Sequence, residues 1–381
     1  MAGDFRSFHV PVETRPLTLN NILVMDADVH VSDTPEALAP YVDGSYRRVL
    51  EHASTLPRRY LDIPGYAPSL ALDLPLPDRG AGARSVETAR QMREDLDAMA
   101  IDLAVLFPDH LLALAALPDE TYSAALARAY NAWLADQWVS RDQALYGAIV
   151  AAPQDPEDAA REIRRYGSES GFVAVYLPTA GVHPLWGSKR YTPVFEAASE
   201  MNLPVMFHSV GMIHPAFPFN VDQFRTTLFR HPMQHEFALM ANMFSLLETA
   251  VPSRFPDLRV VFAEGGISWV PYTMWRLDKE YHEYRSQAPL LEHPPSHYIR
   301  QFYFSTQPVE EPERPQDLVT MLDLFDGADR VLFASDWPHH DFDHPRQVFN
   351  MPFAGDVKRK IMGGNALALF GIEPPLQRGE D

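Results

Sequence analysis

Eight short apolar runs, dense in β-branched residues, recur along the chain and constrain its fold more than any other feature. They are NILVMDADVH (21–30), IDLAVLF (101–107), LYGAIVAA (145–152), GFVAVYL (171–177), LPVMFHS (203–209), LRVVFAEGG (258–266), QFYFST (301–306) and RVLFASD (330–336). Apolar runs of this length, bounded by turn residues, read as strands buried on both faces. Helical patterns fill the intervals at 85–100, 119–139, 155–167, 192–202, 234–251, 267–284, 315–325 and 355–371. The third opens on Asp155-Pro156 and ends at Gly167, a favourable start and stop. The sixth carries Pro271, which predicts a kink or a late start. Eight strands alternating with eight helices predict an α/β fold, a (β/α)8 TIM barrel. The competing open, doubly wound sheet loses its main support because no glycine-rich dinucleotide turn follows the first run.

A chain of 381 residues suits a single barrel domain over 1–381. Two segments exceed ordinary loops, 31–84 after the first strand and 209–233 after the fifth. Both leave the C-terminal face of the barrel, where they can serve as lid or pocket wall. The 32 basic against 51 acidic side chains give a formal charge of -19, which argues against nonspecific binding to nucleic acid or an anionic membrane. With no cysteine, a metal must be held by His, Asp or Glu. The N-terminal residues lack a signal-peptide pattern, and no run approaches the ~20 apolar residues of a membrane span, so a cytoplasmic protein is expected.

The strand ends carry the chemistry. The first run bears Asp28 and His30, the fifth ends in His208, the sixth in Glu264 and the eighth in Asp336. In a closed parallel barrel these ends ring one mouth, and the first and eighth strands are neighbours. A lone histidine there is more often hydrogen-bonded, and a lone aspartate more often caps a helix. Three carboxylates and two imidazoles in one mouth instead call for a divalent cation. Asp26, one step deeper, is expected to orient a ligand through a hydrogen bond.

The motifs DADVH, FHSVG, FAEGGISWVP and ASDWPHHD, in this order, resemble those of the amidohydrolase superfamily, over about Ile22 to Phe370. The branch they resemble includes aminocarboxymuconate-semialdehyde decarboxylase and the aromatic-acid decarboxylases. The resemblance implies a barrel with a divalent metal in its mouth, held by Asp28, His30, His208 and Asp336. Two departures stand out. Glu264 occupies the place where this branch has a histidine used in proton transfer. The fourth strand lacks the bridging lysine of other superfamily members, and only Tyr176 lies nearby.

Glu264 is therefore read as a general base or a further ligand, with Asp336 as its catalytic companion. Further donors, His231 and His235 in RHPMQHE and His339 and His340 in WPHHDFDH, are candidate ligands for a second metal. The sequence also resembles a group of barrel proteins that includes a nonheme diiron monooxygenase of diterpenoid biosynthesis. That resemblance implies two Fe ions, dioxygen and a hydrophobic substrate, with coenzyme A linkage in some relatives. Trp269 and Trp337, with Phe217, Phe219, Tyr272 and Trp275, are candidate mouth aromatics, although ordinary core packing is the favoured reading for about half of them. Arg58, in the Arg58–Arg59 pair, and Arg47–Arg48 are candidates for a phosphate-bearing group, although a solvated surface is the commoner role of such pairs. Three functions follow: a diiron monooxygenase as the leading expectation, a hydrolase or decarboxylase with one Zn or Mn as the alternative, and a non-catalytic scaffold last. Homo-oligomer formation is compatible with the chain, but no interface is legible.

Overall fold

A computed structural model describes residues 17–53, 86–179, 181–209, 226–339 and 341–374. Eight parallel strands form one sheet in sequential order: β1 (Met25–Val31), β2 (Leu103–Pro108), β3 (Leu145–Val150), β4 (Phe172–Pro178), β5 (Val205–His208), β6 (Val260–Ala263), β7 (Tyr303–Ser305) and β8 (Val331–Leu332). β8 is only two residues long, but the chain beyond it runs beside β1 and closes the barrel. Ala27 N–H donates to the Phe333 carbonyl (2.9 Å), Asp336 N–H to the Asp28 carbonyl (3.0 Å) and His30 N–H to the Trp337 carbonyl (2.7 Å). The expected (β/α)8 barrel is thus formed, and the seam joins DADVH to SDW.

Strand alternation then sorts the side chains. Phe207, Phe262 and Phe304 stack across β5 to β7, with ring centroids 5.3 and 5.9 Å apart, and pack against Trp269 on the helix side. His208, next after Phe207, therefore faces the barrel interior. There it meets Phe107 (5.3 Å) and Tyr176 (5.9 Å), which form an aromatic floor. The register Pro178–His208–Ala263 across β4, β5 and β6 brings these strand ends to one level.

The helices follow their sequence signals with instructive shifts. Pro156–Gly167 starts where Asp155 accepts from the Asp158 N–H (3.0 Å). Trp269–Glu283 begins late, which places Pro271 in the first turn, where its missing N–H removes no helical bond. Thr227–Glu248 starts seven residues before position 234, so the end of the 209–233 insertion is helical and includes Pro232. The 31–84 insertion likewise begins as structure, with Pro35–Leu38 capped by Thr34 and then Gly44–Ala53. Residues 54–84 and 210–225, with Arg58, Phe217 and Phe219, lie outside the described residues, as does His340. Among the described residues, no helix is long and apolar enough to cross a membrane.

Candidate metal centre

Asp28, His30, His208 and Asp336 are fully buried at the C-terminal ends of β1, β5 and β8. One ligand atom from each lies within 4.8 Å of all the others. Backbone bonds aim the two imidazoles. His30 Nδ1 donates to the Pro108 carbonyl (2.7 Å), which leaves the Nε2 lone pair facing the carboxylates. That Nε2 lies 2.9 Å from Asp336 Oδ1 and 3.3 Å from Asp28 Oδ1, without hydrogen-bond geometry to either. His208 Nδ1 is held by the Ser209 carbonyl (2.7 Å), and its Nε2 points between both Asp28 oxygens at 3.0 Å each. Lone pairs facing lone pairs repel unless a proton or a cation stands between them. Buried imidazole and carboxylate with unfilled valences fit a divalent cation.

The electrostatics agree with that fit. Burial raises the Asp28 carboxyl, but His208 and His30 outweigh it and hold the pKa below the usual range. Burial and His339 lower His30, yet Asp28 and Asp336 lift it to about 10. Asp336 is likewise held down, chiefly by His339 acting against its burial, while Asp336 drives His339 well above the ordinary imidazole value against its own burial. These four groups strongly favour net positive charge among the carboxylates, which a bound cation satisfies equally well.

Local backbone geometry places the two acids. Glu264 and Asp336 both adopt left-handed conformations, with φ of +59° and +62°. Such a residue costs roughly 1–3 kcal/mol unless its surroundings enforce it. Continued alternation would send Glu264 to the Phe262 side; the left-handed turn instead brings Oε2 to 3.3 Å from His208 Nδ1. Asp26, also fully buried, accepts from the backbone N–H groups of Asp28 (3.1 Å) and Ser335 (2.9 Å) with a single oxygen. Its hydrogen bonds thus run to the backbone, at Asp28 itself and at Ser335 beside Asp336, and they tie β1 to the β8 end. Burial lifts its carboxyl to about 7.

The remaining donors scatter. His339 stacks on His30 (4.1 Å between centroids), with Nδ1 2.8 Å from Asp336 Oδ1 and Nε2 3.5 Å from Asp109 Oδ1. A second group of possible ligand atoms, Glu264, Asp336 and His339, shares Asp336 with the first. His235 sits on the helix Thr227–Glu248, with Nε2 3.3 Å from Glu264 Oε1; burial lowers its pKa, but Glu264 outweighs it and raises the value to about 9. His231 Nε2 faces Asp341 at 3.7 Å. Trp337 serves the barrel seam and packs edge-on against Phe342 (4.8 Å), while Trp269 lies behind the sheet. Tyr272 and Trp275 are more than half exposed on the outer face of their helix. Arg47 spends its guanidinium on the carbonyls of Ala39 and Pro40. Sequence reading passed over Phe107, Asp109 and Gln307, whose Nε2 lies 3.3 Å from Asp336 Oδ2. All three lie at or just beyond strand ends, the one signal that could have found them.

Fold and site together define a (β/α)8 barrel whose mouth is built to hold a divalent cation. The chain belongs to the amidohydrolase family, whose model matches residues 98–372. It is 28% identical over 283 residues to γ-resorcylate decarboxylase of Polaromonas sp. (strain JS666), covering 68% of this chain and 80% of that one. With γ-resorcylate decarboxylase of Rhodococcus jostii (strain RHA1) it shares 25% over 346 residues, covering 85% and 98%. Its fold is that of 5-carboxyvanillate decarboxylase from Sphingomonas paucimobilis (TM-score 0.68, 23% identity, covering 92% and 100%). It is also that of a dihydroxybenzoic acid decarboxylase from Polaromonas sp. JS666 with bound manganese and the inhibitor 2-nitroresorcinol (TM-score 0.64, 22% identity, covering 92% and 97%).

These relatives overturn the leading expectation. A nonheme diiron monooxygenase with two Fe ions, dioxygen and a coenzyme A-linked substrate finds no support: the relatives are decarboxylases, and one carries manganese. Decarboxylation is redox-neutral and asks for no oxidant. The physical source of the error is Glu264. Its carboxylate, together with the nearby histidines, reads in sequence as spare ligand capacity, whereas in space Glu264 is engaged with His235.

Proposed function

We propose that this protein is a metal-dependent decarboxylase of a small aromatic carboxylate, with one divalent ion such as Mn or Zn held by Asp28, His30, His208 and Asp336. The buried four-residue cluster, in a chain similar to γ-resorcylate decarboxylases over most of its length, carries the reading. A bound divalent ion would supply an electrophile for the substrate's oxygens. In the reaction the ring–carboxylate bond breaks, CO2 leaves, the electron pair stays on the ring carbon and a proton takes the vacated position. Asp336 and His339 share a proton across 2.8 Å at the rim of the cluster, and we assign them its delivery. Phe107 and Tyr176 offer an apolar floor for an aromatic ring. The Tyr176 hydroxyl is tied to the Leu112 carbonyl (2.9 Å), which supports a structural role for that tyrosine. The reading treats residues 1–381 as one catalytic domain.

The test is CO2 release from hydroxybenzoates by Mn-loaded protein under strict anaerobiosis. Turnover that matches the aerobic rate supports the proposal. Absence of CO2 release across mono- and dihydroxybenzoates with full metal occupancy overturns it.

A further inference from the structure

Two buried polar atoms at the mouth are used by neither the metal cluster nor the barrel scaffold: Glu264 Oε2 and His235 Nε2. The residues are 5% and 2% exposed, and among the described residues neither atom has a hydrogen-bond partner. Polar atoms so deeply buried are rarely left open without a functional reason. The rest of each residue is committed. His235 Nδ1 donates to the His231 carbonyl (2.8 Å), and the Glu264 N–H donates to Ser305 Oγ (2.9 Å). The side chains approach at 3.3 Å through Glu264 Oε1, which leaves Oε2 unengaged. Oε2 lies 3.3 Å from His208 Nδ1, but that nitrogen's proton goes to the Ser209 carbonyl. A Glu264 oxygen is also within 4.8 Å of ligand atoms of Asp336 and His339, so the pair faces the same mouth, one imidazole ring away from the metal cluster.

The pair is chemically asymmetric. An imidazole held against a buried carboxylate keeps its proton, and the pKa near 9 agrees. His235 Nε2 then offers an N–H, and Glu264 Oε2 beside it offers a lone pair. A donor next to an acceptor complements a group that both accepts and donates, which is a hydroxyl. An ether has no proton to give, and an aromatic amine accepts poorly.

We propose that Glu264 and His235 form a subsite that reads a ring hydroxyl of the substrate, the hydroxyl donating to Glu264 Oε2 and accepting from His235 Nε2. This deepens the decarboxylase reading and rests on it for the aromatic carboxylate. Because a site built to pair a hydroxyl rejects analogues that leave its charged groups unpaired, discrimination of about tenfold or more is expected. The experiment is calorimetric binding to Mn-loaded protein of 2- and 3-hydroxybenzoate, each against its methoxy and amino counterparts. The wild type should bind at least one hydroxybenzoate about tenfold tighter than both counterparts. Glu264→Gln and His235→Gln should each shrink that ratio to within about threefold while retaining one Mn per chain. Three results would overturn the proposal: no discrimination in the wild type, discrimination unchanged in both variants, or loss of Mn from Glu264→Gln, which would make Glu264 a ligand. If Glu264→Gln does not fold, His235→Gln alone decides. Hydroxyl-selective binding without CO2 release supports the subsite and sinks only the decarboxylase assignment.

Discussion

Asp26 offers the most searching test of how the site is held. Its Oδ1 accepts from two buried backbone N–H groups, those of Asp28 and Ser335, which flank the metal cluster from β1 and from the β8 end. Asp26→Ala leaves both donors unpaired, at about 1–3 kcal/mol each, so a loss of about 2–6 kcal/mol is expected. With an unfolding entropy of roughly 2.1 cal/mol/K per residue over this chain, that corresponds to a fall in Tm of about 3–8 °C. Asp26→Asn keeps the accepting oxygen and mimics the protonated carboxyl, so below pH 3.8, where wild type is protonated in both the folded and unfolded states, it should lie close to wild type. The sign of the pH dependence follows from the raised pKa. With a folded value near 7 against an ordinary value of 3.8, the folded state binds the extra proton. Its stabilising contribution is complete below pH 3.8 and is lost as pH rises through 7. Three pKa units amount to about 4 kcal/mol, so metal-free wild type should lose up to that much relative to Asp26→Asn between pH 4 and 7. Metal affinity should fall about 10–100-fold in Asp26→Ala, the usual cost of removing a group that orients ligands. The assays are thermal unfolding of metal-free protein across pH and metal titration at neutral pH. Equal destabilisation by Ala and Asn, or a pH-independent gap between wild type and Asp26→Asn, would refute the reasoning.

Other outcomes follow from the same geometry. His30→Ala and Asp28→Ala should each weaken metal binding by more than about 100-fold, beyond the loss from a supporting group, as read by elemental analysis after dialysis. Chelation should abolish CO2 release and Mn should restore it; Mn at 100 times its Kd should also stabilise the fold by about 2.7 kcal/mol, visible in thermal unfolding. Asp33 is fully buried, and its carboxylate accepts from the N–H groups of Asp109, His110 and Leu111. Asp33→Ala should therefore cost about 3 kcal/mol or more in denaturant unfolding. It should also slow turnover, because Asp109 contacts His339.

Much of this architecture is legible in the residues. Runs such as LAVLF and FVAVYL suit only strands buried on both faces, and eight of them alternating with helices leave the closed barrel as the economical solution. Asp28, His30, His208 and Asp336 stand out because charged groups at the ends of buried strands need a reason to be there. Glu264 shows where such reading stops. Its type and position are plain and His235 falls within the expected helix 234–251, yet only the fold pairs two residues 29 apart in sequence; that helix also begins earlier than its pattern suggests. Periodicity signals a helix only where its apolar stripe is regular, and Pro232 obscures the stripe's beginning.

The sequence by itself determined the barrel, the strand order and a mouth suited to a cation, because hydrophobic periodicity and the cost of burying charge act locally along the chain. The tertiary structure alone decided which donors meet. The seam between β1 and the β8 end, the left-handed turns at Glu264 and Asp336, and the backbone carbonyls that aim each imidazole arise from residues far apart in sequence. Ligand geometry is a matter of a few tenths of an ångström, and only packing across strands sets distances on that scale.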